Sequence, residues 1–172
     1  MKWRELVTGC VVILACWLVD FISKQVFFVD PLPAEHFSFF GGLFSQINYK
    51  NVGITFSLPV PQMVIIVVTL LVLGFIVWRW SKAMAESRWL ILLSLSILIG
   101  GAIGNLLDRI LLGYVRDWML AFHRSAFNLA DVFIALGFLG WIGFGEIERI
   151  GRRDTASRVP RIEQEVDRSH ES

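Results

Sequence analysis

One spacing occurs twice in this chain, as Asn105-Leu106-Leu107-Asp108 and as Asn128-Leu129-Ala130-Asp131. Residues three apart share a helix face, so each tetrad would set an amide beside a carboxyl. Two carboxyls that face each other closely cannot both stay ionised, and the pair then holds one proton between them. One acid can take a proton from water while the other protonates a leaving group, as in aspartic proteases. Asp108 and Asp131 are therefore the candidate catalytic residues, with Asn105 and Asn128 beside them. Taken singly, each acid has a plainer explanation: Asp131 would cap a helix and Asp108 would pair with Arg109. The repeated tetrad favours a shared site.

The elements that must position these residues are membrane spans. Of the 172 residues 55% are hydrophobic, seven are Trp and the mean hydropathy is +0.62, an excess over soluble domains that points to lipid. Four stretches approach the roughly 20 residues needed to cross hydrocarbon: about Leu6–Phe28, Met63–Trp80, Trp89–Leu107 and Phe127–Gly145. The first run reads as an uncleaved span, because Trp17, Leu18 and Val19 continue it where a cleaved leader would turn polar. Each tetrad then lies at a span end, at the same depth. A carboxyl inside a bilayer is costly and normally faces protein or a water-filled site.

Outside the spans, residues 29–60 form a loop in which SQINYKNVGITFS alternates as a strand broken at Asn51-Val-Gly53. Residues 110–126 put Leu112, Val115, Trp118, Met119 and Phe122 at helical spacing, which predicts a short interfacial helix. The expected fold is thus an all-α membrane protein of four transmembrane helices, with a small β-cradle and an interfacial helix. Residues 1–145 form the membrane domain, and the charged tail at 146–172 is expected to be a partly disordered end. Eleven of the 16 Lys and Arg residues fall at the N-terminus, between spans two and three, or in the tail, which places both termini in the cytoplasm.

Several chemistries find no frame. The net charge of +1 offers no basic excess for nucleic acid. His36, His123 and His170 are scattered, and neither a zinc helix nor a nucleophile elbow occurs. Cys10 and Cys16 share one apolar run, so no disulfide framework is indicated. A small proton-coupled transporter is the competing reading, since intramembrane acids also relay protons; clustering of the acids at one face favours an interfacial enzyme.

Other polar residues near the site have local explanations. Asp20 and Lys24 form a favourable i,i+4 pair, with Lys24 expected to snorkel to the headgroups. Asp117 reads as a solvated interfacial acid, and Asn51 and Gly53 as a turn. Gly100 and Gly104 are a small-xxx-small pair for close helix contact.

Five stretches in order resemble the motifs of the lipoprotein signal peptidase (signal peptidase II) family of bacteria. DFISK resembles D-x-x-S/T-K, NVGITF resembles N-x-G-x-A-F, GGAIGNLLDR resembles G-x-x-x-N-x-x-D-R, YVRDW resembles V-x-D-F and FNLAD resembles F-N-x-A-D. The resemblance implies an aspartic endopeptidase of the bacterial inner membrane that cuts prolipoproteins before a diacylglyceryl-modified cysteine, with Asp108 and Asp131 as its pair. It places Asn51, Gly53, Asn105, Arg109 and Asn128 around substrate, and Asp20, Lys24 and Asp117 in support. No metal or organic cofactor is implied, the bilayer and the prolipoprotein are the partners, and a monomer is expected. Thr55 and Trp118 depart from the family pattern and bear on pocket shape.

The charge pattern yields a test of orientation. A cysteine introduced at Lys82 should react with an impermeant maleimide only from the cytoplasmic side, and one at Ser45 only from the outside. The opposite pattern would place both tetrads at the wrong face of the membrane.

Overall fold

The computed structural model describes residues 2–29, 38–53 and 61–170. Its helices are α1 (Lys2–Phe27), α2 (Gln62–Ala85), α3 (Trp89–Leu112) and α4 (Leu129–His170). All four are long and apolar enough to cross a membrane, α4 over Leu129–Ile150. A helix of about 24 residues spans some 36 Å at 1.5 Å per residue, enough for a hydrocarbon core of about 30 Å. Beyond that window α4 continues as helix through the segment expected to be a partly disordered tail; a Glu146–Arg149 pair at 3.0 Å supports its start.

α3 is the centre of the bundle. Two-thirds of its apolar window (67%) is buried, against 11–17% in the other helices, and it packs on α1, α2 and α4. In lipid no hydrophobic force drives helices together, so close contact depends on small residues and interhelical hydrogen bonds. Gly100 and Gly104 both face α1: a Cβ at Gly100 would lie 2.7 Å from the Ile13 carbonyl oxygen, and one at Gly104 would overlap the Asp20 carboxylate. Gly101 does the same against α4, where a Cβ would stand 2.5 Å from the Ala130 carbonyl oxygen. On the α2 side, Trp80 Nε1 donates to Ser96 Oγ at 2.8 Å within a buried apolar cluster.

Four strands form an antiparallel sheet in chain order: β1 (Ser38–Phe39), β2 (Phe44–Asn51), β3 (Val115–Ala121) and β4 (Ser125–Phe127). β2 is the strand expected from the alternation around Ser45–Asn51. Its pairing with β3 sets Asn51 opposite Val115 and Tyr49 opposite Asp117, with an irregularity between Gln46 and Tyr49. Residues 30–37 and 54–60 of the expected loop, His36 and Thr55 among them, lie outside the described residues.

The short interfacial helix predicted over 110–126 is not formed; the segment is a hairpin. α3 ends at Gly113, whose φ of 79° is the left-handed cap that stops a helix. β3 then buries Val115, Asp117, Trp118 and Ala121 against β2 and the bundle. The turn is tight: Phe122 and His123 have φ of 52° and 57°, and Arg124 N–H donates to the Ala121 carbonyl at 3.0 Å. Two consecutive positive φ values are the shape usually written Asn-Gly. With Phe-His in that turn, nothing at the turn marks the hairpin, and the helical spacing of the apolar residues masks the alternation of Val115 and Asp117.

The glycine contacts are testable by adding one methyl group. Gly104→Ala should lower the thermal midpoint in detergent, since overpacking a tight contact costs about 1–3 kcal/mol. Gly74→Ala, on α2 with nothing within 4 Å of the new methyl, should leave the midpoint unchanged or raise it. Equal effects would remove close approach as the reason for Gly104.

Candidate active site

The site is built where the ends of α1 and α3, the start of α4 and the strands β2 and β3 meet. Its first part is a buried ion cluster. Lys24 is 1% exposed, and its ammonium has three acceptors: Asp20 Oδ2 at 2.7 Å, Asn105 Oδ1 at 3.0 Å and Asp108 Oδ2 at 3.2 Å. An ammonium has three N–H donors, so all are used inside the protein. Lys24 therefore turns inward instead of snorkelling, because α3 supplies the acceptors that the headgroups were expected to provide.

Asp20 makes a further contact: its Oδ1 accepts the Ala130 N–H at 2.9 Å, which ties α1 to the first turn of α4. Asp108 is held by Arg116 of β3, whose Nη2 and Nε lie 2.7 and 3.2 Å from Oδ1, while the Arg116 N–H reaches Oδ2 at 3.1 Å. The partner of Asp108 is thus Arg116, eight residues on, and not its neighbour Arg109. Both Asp108 oxygens are occupied by cationic or N–H donors.

The second part gathers Asp117 and Asp131 around Asn128, which is fully buried. Asn128 Nδ2 donates to Asp117 Oδ1 at 2.6 Å, and Asn128 N–H donates to Asp131 Oδ2 at 3.1 Å. In return Asn128 Oδ1 accepts the Asp131 N–H at 3.1 Å, a reciprocal cap on the start of α4. Asp131 Oδ1 accepts from Asn105 Nδ2 at 2.8 Å, so Asn105 joins the two parts through its two amide atoms. Asn51 Nδ2 donates to Asp117 Oδ2 at 3.0 Å, and Asn51 Oδ1 caps the Gly53 N–H at 3.2 Å. Asn51 and Gly53 thus form the expected turn, and that turn is fastened to Asp117.

Asp117 is 1% exposed, not the solvated acid its sequence context suggests. Burial pushes its pKa up from 3.8 to about 6, the charge of Asp131 adds to the rise, and the Asn51 and Asn128 hydrogen bonds oppose it. Next to it, Trp118 stacks on Phe27 with ring centroids 4.5 Å apart and donates Nε1–H to Ser23 Oγ at 3.2 Å. The departure at Trp118 is therefore a packing wedge between β3 and α1.

Arg109 serves the second part. Its nearest acidic groups are Asp131, Asp117 and Asp108; Nη1 reaches the Asn105 carbonyl at 3.4 Å, and Nε is buried with no hydrogen-bond partner among the described residues. Asn105, Arg109 and Asp131 form the polar end of a groove of about 560 Å³ between α2, α3 and α4. Its remaining walls are apolar, including Val72, Phe75, Leu98, Ile134 and Phe138. A groove of that kind accepts a hydrocarbon chain or an apolar helix and leads it to a carboxylate.

Arg116 is a site residue that no sequence motif singles out, and Asp117, expected among the supporting residues as a solvated acid, is buried. Strand alternation was the signal available, since Val115 and Asp117 share a buried face while Arg116 between them points toward Asp108.

The signal peptidase (SPase) II family matches residues 12–144 of the chain. A lipoprotein signal peptidase of Brucella ovis is 40% identical over 164 residues, covering 82% of this chain and 96% of that protein. One of Bartonella quintana is 40% identical over 102 residues, or 55% of this chain and 60% of the relative's length. Two solved structures described as bacterial membrane enzymes share the fold, with TM-scores of 0.65 and 0.67 at 20% and 19% identity. The first covers 78% of this chain and 90% of its own, the second 87% and 90%.

The hydrogen bonds on Asp117 set the sign of a titration experiment. A carboxyl raised to about 6 keeps its proton below that pH and loses it above. The Asn51 bond favours the charged form, so Asn51→Ala should move the Asp117 midpoint to higher pH, read from the carboxyl band of labelled aspartate. A downward movement would mean that Asn51 does not act on Asp117 as a donor.

Proposed function

Because the chain belongs to the signal peptidase II family, peptidases of the aspartic type, we propose that it removes signal peptides from prolipoproteins, cutting just before a diacylglyceryl-modified cysteine. The proton-sharing pair in this reading is Asp117 and Asp131, with Asp108 a structural acid. The observation that carries it is Asn128, which donates to a carboxyl oxygen of each.

Charge balance supports the same division. Asp20 and Asp108 are neutralised by Lys24 and Arg116. Asp117 and Asp131 have Arg109 as their cation, so one proton on the pair makes that group neutral. Low-dielectric surroundings favour the neutral arrangement. Asp117, whose carboxyl burial raises to about 6, is the member assigned the proton. Asp131 sits at the positive end of α4 with N–H donors on both oxygens, an environment suited to a carboxylate.

In the reaction Asp131 takes a proton from water as the water oxygen adds to the scissile carbonyl carbon. Asp117 then gives its proton to the amide nitrogen as the C–N bond breaks. The products are a new carboxyl end and the free amine of the lipid-modified cysteine; the pair has exchanged roles and still holds one proton. Arg109 Nε and Asn51, at either side of the pair, bind substrate backbone. The apolar groove takes hydrocarbon of the substrate and keeps water out of the site. With both termini cytoplasmic, the pair lies at the outer face of the inner membrane, where a precursor anchored by acyl chains would present its cleavage site.

The test is turnover of a lipidated prolipoprotein peptide by purified protein in detergent. Asp117→Asn and Asp131→Asn should each reduce turnover by at least 10³-fold, somewhat within the range lost when acid–base groups are removed, with thermal midpoints near that of the parent. Asp108→Asn should chiefly lower the thermal midpoint, since it leaves Lys24 and Arg116 short of an acceptor. If the Asp117 variant cleaves while a well-folded Asp108 variant does not, the pair is Asp108 and Asp131.

A further inference from the structure

The end of the bundle opposite the aspartates carries a second arrangement of polar and aromatic groups. On α2, Lys82 stands about 20 Å along the axis from Thr69, at 1.5 Å per residue, and Thr69 lines the same groove as Asp131. There the Arg79 guanidinium lies 5.8 Å from the ring centres of both Trp78 and Trp141, and the Lys82 ammonium lies 4.3 Å above Trp78. Phe75 and Phe138 extend the platform, with Phe75 5.7 Å from Trp78 and Phe138 6.3 Å from Trp141. Trp78, Phe75 and Phe138 are each about half exposed on the lipid-facing side.

The two cations differ from their neighbours. Arg88 is taken up by Glu148 at 2.5 Å and Glu86 at 3.5 Å, and Arg149 by Glu146. Among the described residues no carboxylate lies within ion-pair distance of Arg79 or Lys82. A cation–π contact leaves the N–H donors of a guanidinium without a lone-pair acceptor, and those donors match two phosphate oxygens. An ammonium three residues on supplies a second positive charge on the same helix face. Beneath both lies an exposed apolar surface at the depth of acyl chains.

We propose that Arg79 and Lys82, mounted on Trp78 and Trp141, form a binding site for an anionic phospholipid. The phosphodiester lies across the two cations and an acyl chain runs along Phe75 and Phe138. Charge selects the ligand: a zwitterionic headgroup brings its own cation to the site, whereas an anionic one brings only the charge the site lacks. Lipid held there braces α2 against α4, which meet at the Arg79–Trp141 contact and otherwise enclose the apolar groove.

The probe is phosphatidylglycerol titrated into the purified full chain in neutral detergent, with bound lipid counted by native mass spectrometry and stability followed by thermal unfolding. Phosphatidylglycerol should bind and raise the midpoint; phosphatidylcholine and inorganic phosphate should do neither at the same concentrations. The double variant Arg79→Gln, Lys82→Gln should bind phosphatidylglycerol about 30-fold more weakly, taking roughly 1 kcal/mol for each cation near a lipid surface. The double variant Arg79→Lys, Lys82→Arg, which keeps both charges, should bind phosphatidylglycerol nearly as the parent does and shows that the loss in the glutamine variant is not misfolding. Equal stabilisation by phosphatidylcholine, full stabilisation by inorganic phosphate, or an unchanged response in a folded double variant would each overturn the site.

Discussion

A lysine ammonium with no route to water constrains the rest of this structure. Lys24 is buried at the end of a membrane helix, where an unpaired cation would cost several kcal/mol. It is tolerated because two helices bring it three acceptors: Asp20 from its own helix, and Asn105 and Asp108 from α3. Each of those partners is itself held. Asp20 reaches α4 through the Ala130 N–H, Asp108 reaches β3 through Arg116, and Asn105 reaches Asp131. One buried charge thereby fixes the relative positions of α1, α3, α4 and the sheet. Gly104 is small for the same reason, since the Asp20 carboxylate occupies the space a side chain would need.

In the proposed reaction, the division of these carboxylate, amide and cation contacts into two groups also separates scaffolding from chemistry. Asp20 and Asp108 have oxygens that face the Lys24 ammonium and the Arg116 guanidinium. Asp117 is bound by amides, which are neutral, and it stands near another acid, so its proton can move. Asn105 lies between the groups, with its carbonyl on Lys24 and its N–H on Asp131. In that proposal, the kind of group that anchors each acid, more than proximity of acids along the chain, distinguishes the two roles.

The spans and the depth of the polar residues are legible in the sequence, because apolar length is a direct measure of what crosses a bilayer. β2 is legible too, from alternation and the turn at Asn51-Val-Gly53. The β3–β4 hairpin is not: Leu112, Val115, Trp118, Met119 and Phe122 satisfy helical spacing, and the Phe122-His123 turn lacks the residues that mark such turns. That one misreading hides Asp117 and Arg116 together, since only a strand puts them on opposite faces. Asp131, Asn105 and Asn128 could be singled out from a repeated spacing, but which acid faces Asp131 depends on the pairing of β3 with β2, and no local pattern encodes it. The inward turn of Lys24 is likewise set by α3, 81 residues away.

The contacts of Asp20 bear on how the chain is made. During synthesis α1 enters the membrane before the other three spans, carrying Asp20 and Lys24 as an internally neutral i,i+4 pair. The Ala130 N–H that completes the Asp20 carboxylate lies 110 residues further on, and Asn105 and Asp108 arrive only with the third span. Until then a half-satisfied ion pair sits at the rim of a nascent helix. Insertion of the third and fourth spans thus resembles the closing of a clasp whose first half has been waiting, and a chain halted between spans two and three would show membrane-protein surveillance an exposed acid and an exposed base.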